Sequence, residues 1–510
     1  MKAIIISLLL SGFIMAQQVV ELKQPNASKM VVKFMFKNGS ICDPHGKEGL
    51  TYTTSQVINQ GGTGELTYSD IQSKIYPMAS WYSVLVDKEA VTFTFQFHKD
   101  WIAEFYPIMM GLITNPSFSQ ADFERVKNNQ QAYVDQVIRA SSDEEYSKKA
   151  MEDFLFRGTN YQHMVEGNSA SVSAITLEDV KAHYKDFFTR NNVMIGIAGN
   201  YPESFIEKLK TDLANLPDIR PAIPTAPAIQ MPDGIDVEII SKDGAFGSAI
   251  FTGYPLNITR TNDEFAALMV ANSYLGEHRK SYSKLYKVIR EERSMNYGDY
   301  SYIEWYHNGG GNMLPPSGVP RQSNYFAVWI RPVQIAKQLK MQYEELKDVN
   351  VGHAHFALRM ALREMDKMIK NGISQEDFEA TRAFLQSYIR LYIKNPDQQL
   401  GYLMDSKMYG RENYIEELGE LLSKVTLDDV NNAINKYFQI DNMKITIVTD
   451  VSEAEPLLES LKNNLPSPMS YSDLVKAGLS EEILSEDAAT ENFKLNVKSV
   501  TIVDSKDTFK

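Results

Sequence analysis

The chain has 510 residues, of which 43% are hydrophobic, 11% aromatic and 23% charged, an ordinary globular composition that excludes collagen-like repetition and wholesale disorder. Its 52 basic and 65 acidic residues give a net charge of −13, which argues against a nucleic-acid binder that works through a basic surface. A single cysteine, Cys42, rules out an intramolecular disulfide and any cysteine-rich zinc site within one chain.

The N-terminus runs Met1-Lys2, then mostly apolar residues from Ala3 to Ile14, then Met15-Ala16-Gln17-Gln18. A short positive region, an apolar core and a small residue before a polar start form the pattern of a secretory signal peptide, here residues 1–16. The apolar run falls short of the roughly 20 residues that span a bilayer, and no later stretch reaches that length. Removing the segment takes away Lys2 and no acid, so the mature charge is −14. A buried terminal strand or helix is the alternative reading. The expectation is an exported, soluble protein, periplasmic or extracellular, with no transmembrane segment.

Val31–Phe36 and Val91–Phe97 have strand propensity, the second with clear alternation. Phe118–Arg139 carries apolar residues at helical spacing behind Ser119-x-x-Asp122, a capping signal with Asp in place of Glu. Thr176 reads as the cap of the next helix, with Asp179 at its third position, and a strand follows at Asn192. Five prolines between Pro217 and Pro232 remove amide donors and fix φ, so that stretch is an extended connector.

The same signals then return. Ile175-Thr176-Leu177-Glu178-Asp179-Val180 recurs as Val425-Thr426-Leu427-Asp428-Asp429-Val430, and Asn192–Ile197 recurs as Asn442–Ile447, both offset by 250 residues. Ser119–Glu124 matches Ser374–Glu379, which opens a helix over Gln375–Ile393, and Leu216-Pro217 matches Leu465-Pro466. These matches predict two homologous halves at residues 17–216 and 235–466, a linker at 217–234, and a polar tail at 467–510 with a late edge strand over Phe493–Val503. The element order is α+β, each half a mostly antiparallel sheet covered by helices.

The repeat, the size and several local stretches resemble the pitrilysin/insulinase family of zinc metallopeptidases, in particular the two-half subunits of the mitochondrial processing peptidase type. The stretches are Asp43–Leu50, Asn115-Pro116-Ser117-Phe118, Gly199-Asn200 and the proline linker. That family frames its inverted zinc motif, H-x-x-E-H, with a Gly three residues before the first His and another five after the second. Gly49 and Gly61 supply the frame, which places the motif on Tyr52, Ser55 and Gln56. None of the three is a zinc ligand or general base of the kind a catalytic site needs. By approximate alignment the family's third ligand falls near Asp135. No metal is expected on this chain.

The remaining histidines offer no ligand spacing. His353 and His355 lie two apart at the start of a helical pattern, where a structural role outweighs a metal site; His45, His98, His163, His183 and His307 are scattered. Glu277-His278 reads as surface or capping, and Gly309-Gly310-Gly311 before Pro315-Pro316 as a loop.

The second half keeps more. Ser283–Gly298 resembles the family's other active-site segment, in which an Arg and a Tyr seven residues later face the zinc across a clamshell cavity. Arg290 and Tyr297 have that spacing, and the resemblance implies that they bind substrate and stabilise the oxyanion in a partner's site. The alternative is an ion-paired Arg290 and a core Tyr297. The resemblance thus implies a non-catalytic subunit, inactive alone, paired with a homologous H-x-x-E-H-bearing subunit that holds the zinc, and acting on peptides. A non-catalytic peptide-binding or scaffold homodimer is the rival expectation.

Overall fold

The computed structural model describes residues 18–277, 280–304 and 317–509. The signal-peptide reading, His278, His307, Gly309–Gly311 and Pro315-Pro316 lie outside the described residues. Among the described residues, no helix is long and apolar enough to cross a membrane.

The first sheet contains β1 (Val19–Lys23), β2 (Lys29–Phe36), β3 (Trp81–Val86), β4 (Val91–His98) and β5 (Val193–Gly199), in the order β1-β5-β2-β4-β3. The second contains β6 (Ile235–Ser241), β7 (Ser248–Leu256), β8 (Asp299–Tyr302), β9 (Asn324–Val333), β10 (Met443–Thr449) and β11 (Val497–Asp504), in the order β11-β6-β10-β7-β9-β8. Strand for strand the second sheet repeats the first and adds β11 at one edge. β1 runs parallel to β5 as β6 does to β10, β11 runs parallel to β6, and every other pairing is antiparallel. The fold is α+β, two mixed sheets covered by helices.

The capping signals work as their chemistry dictates. Thr176 Oγ1 accepts from the Asp179 amide while Asp179 Oδ2 accepts from the Thr176 amide, and Thr426 with Asp429 repeats the arrangement. The helix expected over Phe118–Arg139 begins only at Gln120, because the Ser119 side chain caps the Asp122 amide and Phe118 sits at a left-handed φ of 43°. From Tyr133 to Ser141 it widens into a π-helical stretch, one extra residue per turn.

Period-two alternation sends the residues of β2 to two different cores. Val32, Phe34 and Phe36 pack with Phe93, Phe95, Ile195 and Ile197 under the helices Ile102–Thr114 and Glu203–Leu213 of the same half. Val31 and Met35 face the other way, against Leu400 and Met404 on the helix Pro396–Met408 of the second half. Burying each of those two side chains contributes about 1.5–3 kcal/mol. Gly196 allows the close approach, since a Cβ there would lie 2.3 Å from Met404 Sδ. The exchange is reciprocal: the helix Asp143–Leu155 of the first half lies on β7 and β10, with Thr446 Oγ1 donating to the Ser147 carbonyl at 3.0 Å. Each half therefore covers its partner's sheet with one of its own helices.

That exchange buries both faces of β4, so its alternating threonines are interior. Thr92 Oγ1 donates to the Gly318 carbonyl at 2.5 Å, and Thr94 Oγ1 accepts from Lys33 Nζ at 3.1 Å. The tail is folded onto the second half: β11 extends the sheet, the helix Glu481–Glu491 packs on the helix Ala354–Asn371, and Arg293 pairs with Asp487 at 2.7 Å.

Candidate functional site

The motif helix, Leu50–Gln60, starts from Gly49 at φ +93°, where a Cβ would come 2.7 Å from the Glu166 carbonyl oxygen. Asp43 fastens its first turn: Oδ2 accepts from the Gly49 amide at 2.7 Å, and Oδ1 accepts from the Thr51 amide at 2.7 Å and from Thr51 Oγ1 at 2.6 Å. His183 Nε2 lies 2.9 Å from Thr51 Oγ1, and burial pulls its imidazole down to about 4, so it is neutral. On the opposite side Thr53 Oγ1 donates to Gln130 Oε1 at 2.7 Å, and Gln130 Nε2 donates to the Glu166 carbonyl at 2.9 Å.

The three motif positions do not form a metal site. Burial, with the negative field of Glu166, raises the Tyr52 phenol above its ordinary range, so it stays protonated and is no zinc ligand. Ser55 is fully buried and donates to the Thr51 carbonyl of its own helix at 2.7 Å. Gln56 hydrogen-bonds Tyr52 and accepts from Gln60 Nε2 at 2.9 Å. Among the described residues no group of three or more His, Cys, Asp or Glu could hold a metal ion.

Asp135 is turned elsewhere, accepting from Gln131 Nε2 at 2.8 Å and from Ser169 Oγ. Tyr133, two residues earlier, opens the π-helical stretch, and burial with the Glu166 carboxylate keeps its phenol protonated as well. Sequence counting did not single out Tyr133. It also missed the buried pair of Lys149 with Glu166, at 2.8 and 3.0 Å, which lies beside the two phenols and has no signal in local spacing.

Arg290 lies on a second π-helical stretch, Tyr286–Glu291. Its guanidinium sits 4.8 Å from the centre of the Tyr286 ring and donates to that phenol oxygen. Tyr286 packs in turn on Ile41, Cys42 and Met151 of the first half. Tyr297 is 75% exposed, and its ring lies 5.9 Å from the Arg331 guanidinium, which pairs with Glu144 at 2.6 Å. Among the described residues Arg290 has no ion pair, and Tyr297 lies outside the core.

The other candidates are structural. Cys42 is buried and pushed up to about 12, chiefly by burial, so it is an unreactive thiol. Glu277 is buried and accepts from Ser273 Oγ at 3.0 Å rather than lying at the surface. His353 precedes the helix Ala354–Asn371 with Nε2 at 3.2 Å from the Ser470 carbonyl, and His355 Nδ1 lies 2.8 Å from Ser460 Oγ. Burial lowers them to about 4 and about 3.

Both rings stay neutral in the fold but take up protons once unfolded, below their ordinary value of about 6.5. Their contribution to stability is complete above that pH and falls as the pH drops toward 4, by up to about 1.4 kcal/mol per pH unit for each ring. Urea denaturation from pH 7.5 to 4.5 measures it. His353→Gln is expected to flatten the acid limb relative to the native chain, and parallel limbs would mean the ring titrates normally.

Two repeated sheets with exchanged helices, and a framed but ligandless motif helix, are similar to the peptidase-like architecture of M16, or pitrilysin/insulinase, proteins. Residues 174–319 match the family described as Peptidase M16 inactive domain, a span that includes Arg290 and Tyr297. The chain is 20% identical to the Non-peptidase homolog YmxG of Helicobacter pylori over 82% of this chain and 88% of that one. It is 18% identical to the Uncharacterized zinc protease YmxG of Bacillus subtilis, over 66% and 72% respectively. Among solved structures, a peptidase M16 inactive domain from Pseudomonas fluorescens superposes with a TM-score of 0.71 at 18% identity, covering 85% of this chain and 96% of that one. The chain is similar to these M16 proteins in fold and over residues 174–319 in sequence, and the residues at its own motif do not fit zinc.

Proposed function

We infer that the chain is an exported, non-catalytic subunit of a heterodimeric metallopeptidase, pairing with a homologous H-x-x-E-H-bearing subunit and helping to enclose its peptide substrates. Tyr297 carries this reading: its aromatic ring is largely exposed on a sequence segment that resembles the family's substrate-facing one, while the same chain has no usable ligand on the motif helix. A phenolic O–H and a guanidinium are the donors a peptide carbonyl, or the oxyanion formed from it, requires. Arg290 and Tyr297 therefore bind and stabilise, and the zinc belongs to the partner. The test is to purify the chain alone and with an H-x-x-E-H-bearing homologue. Alone it carries no stoichiometric zinc and cleaves nothing; with the partner it raises peptide cleavage. Stoichiometric zinc and cleavage by the chain alone would overturn the reading.

A peptide-binding homodimer that cuts nothing draws support from β3. Among the described residues that strand pairs only with β4, and it lies beside the motif helix, so its outer edge can offer backbone groups to an extended peptide. Peptide affinity of the chain alone, with no gain on adding a homologue, would favour this second reading.

A further inference from the structure

Beyond β11 the chain crosses from the second half back to the first. Residues 505–509 leave the sheet edge and lie across the π-helical stretch Tyr133–Ser141 and the helix Asp143–Leu155. The first half reads this strap mostly through its backbone. Arg139 donates to the Ser505 carbonyl at 3.1 Å and to the Thr508 carbonyl at 2.8 Å, and Tyr146 Oη donates to the Ser505 carbonyl at 2.7 Å. Thr508 Oγ1 also hydrogen-bonds the Tyr146 hydroxyl, and Phe509 is driven inward against Val134, Ile138, Tyr146 and Met164, with its ring 5.3 Å from that of Tyr146 and 5.7 Å from the Arg139 guanidinium.

The occupant is held at a cost in backbone strain. Phe509 has a φ of 58°, a left-handed conformation that an aromatic residue rarely adopts and that costs energy to hold. Cavities of about 290, 290 and 400 Å³ all abut it, bounded by His45, His163, Asn168, Gln162 and Arg139 among others. Strain in the bound segment weakens its hold on the socket, and the adjoining clefts open to solvent.

We propose that the Arg139–Tyr146 socket is a binding site for an extended peptide carrying an aromatic side chain, occupied in cis by the chain's own residues 505–509 and opened by their release. Recognition through backbone carbonyls tolerates different sequences, and the single inward ring sets the preference for an aromatic residue. The site uses neither Arg290 nor Tyr297, so it stands or falls separately from the heterodimer.

Two measurements on the full chain decide it. First, by hydrogen exchange on the native protein, the amides of residues 505–509 exchange at least about tenfold faster than those of β11, as a releasable strap requires. Equal protection would overturn the proposal whether or not any variant folds. Second, fluorescence anisotropy follows a labelled Ser-Lys-Asp-Thr-Phe-Lys peptide, the sequence of residues 505–510, binding to Phe509→Ala and to the native chain. A native socket held in cis nine-tenths of the time weakens apparent affinity about tenfold, so Phe509→Ala binds the peptide about tenfold more tightly. Adding Arg139→Ala to that variant abolishes the gain, and the peptide with Ala in place of Phe does not bind. Equal affinity of both proteins, or equal binding of both peptides, would refute it.

Discussion

Arg321→Met is expected to destabilise the fold by about 3–5 kcal/mol, because it strips the counter-charge from two buried carboxylates at the joint between the halves. Arg321 is almost fully buried; Nε and Nη2 grip Asp87 at 2.6 and 2.7 Å, and Nη1 reaches Glu152 at 2.7 Å. Asp87 follows β3, Glu152 lies on the exchanged helix Asp143–Leu155, and Arg321 precedes β9, so one guanidinium ties three separate elements. Burial alone would raise the Glu152 carboxyl, but Arg321, Lys88 and Lys149 hold it well below its ordinary value. Its ionised state thus adds stability that is present above the ordinary glutamate range and lost as the pH falls through that range and below. Removing Arg321 shrinks that term, so the penalty is larger at pH 7 than at pH 4. Urea denaturation at the two pH values reads both effects. Lys424→Met, which breaks the exposed pair with Glu420, should stay within about 0.5 kcal/mol and serves as the control. A loss below about 1.5 kcal/mol for Arg321→Met would mean that the halves are not held by this network.

That joint is the part of the architecture hardest to read from sequence. The duplication itself is legible because its markers are local: Thr176 with Asp179 and Thr426 with Asp429 are capping chemistry that acts within four residues. The strands after them are short apolar runs, buried along almost their whole length. The exchanged helices leave no such trace, because helical periodicity shows that a face is buried but not which sheet buries it. Arg321 and Asp87 meet across 234 positions of sequence. At the candidate site the same distinction holds. Gly49 and Gly61 frame the helix through backbone geometry, so the motif positions Tyr52, Ser55 and Gln56 fall on it as counted. Beyond the helix Gln120–Ala132, where the chain widens into the π-helical stretch, Asp135 bonds Gln131 and Ser169, partners that no spacing announces. The tail reads as polar, yet its Phe509 is buried, since one aromatic residue amid polar neighbours has no periodicity to announce it.

For Tyr297→Phe, the chain reconstituted with a zinc-bearing homologue is expected to lose roughly 10²- to 10³-fold in kcat, the usual effect of deleting one oxyanion donor. The substitution removes a single oxygen. Because the ring is largely exposed, with Arg331 5.9 Å away as its cationic neighbour, stability should change by less than about 0.5 kcal/mol. That separation makes the variant informative: a fall in turnover with unchanged folding cannot be attributed to a collapsed subunit. The split between kcat and KM identifies the role. A phenol that bonds only the developing oxyanion lowers kcat and kcat/KM together, whereas one that merely holds the peptide raises KM and spares kcat. Arg290→Lys sharpens the comparison, since Lys keeps the charge but not the planar fork that lies over Tyr286. If Tyr297→Phe turns over peptide as the native pair does, Tyr297 supplies no oxyanion donor, and the retained segment serves the binding of subunit or peptide instead.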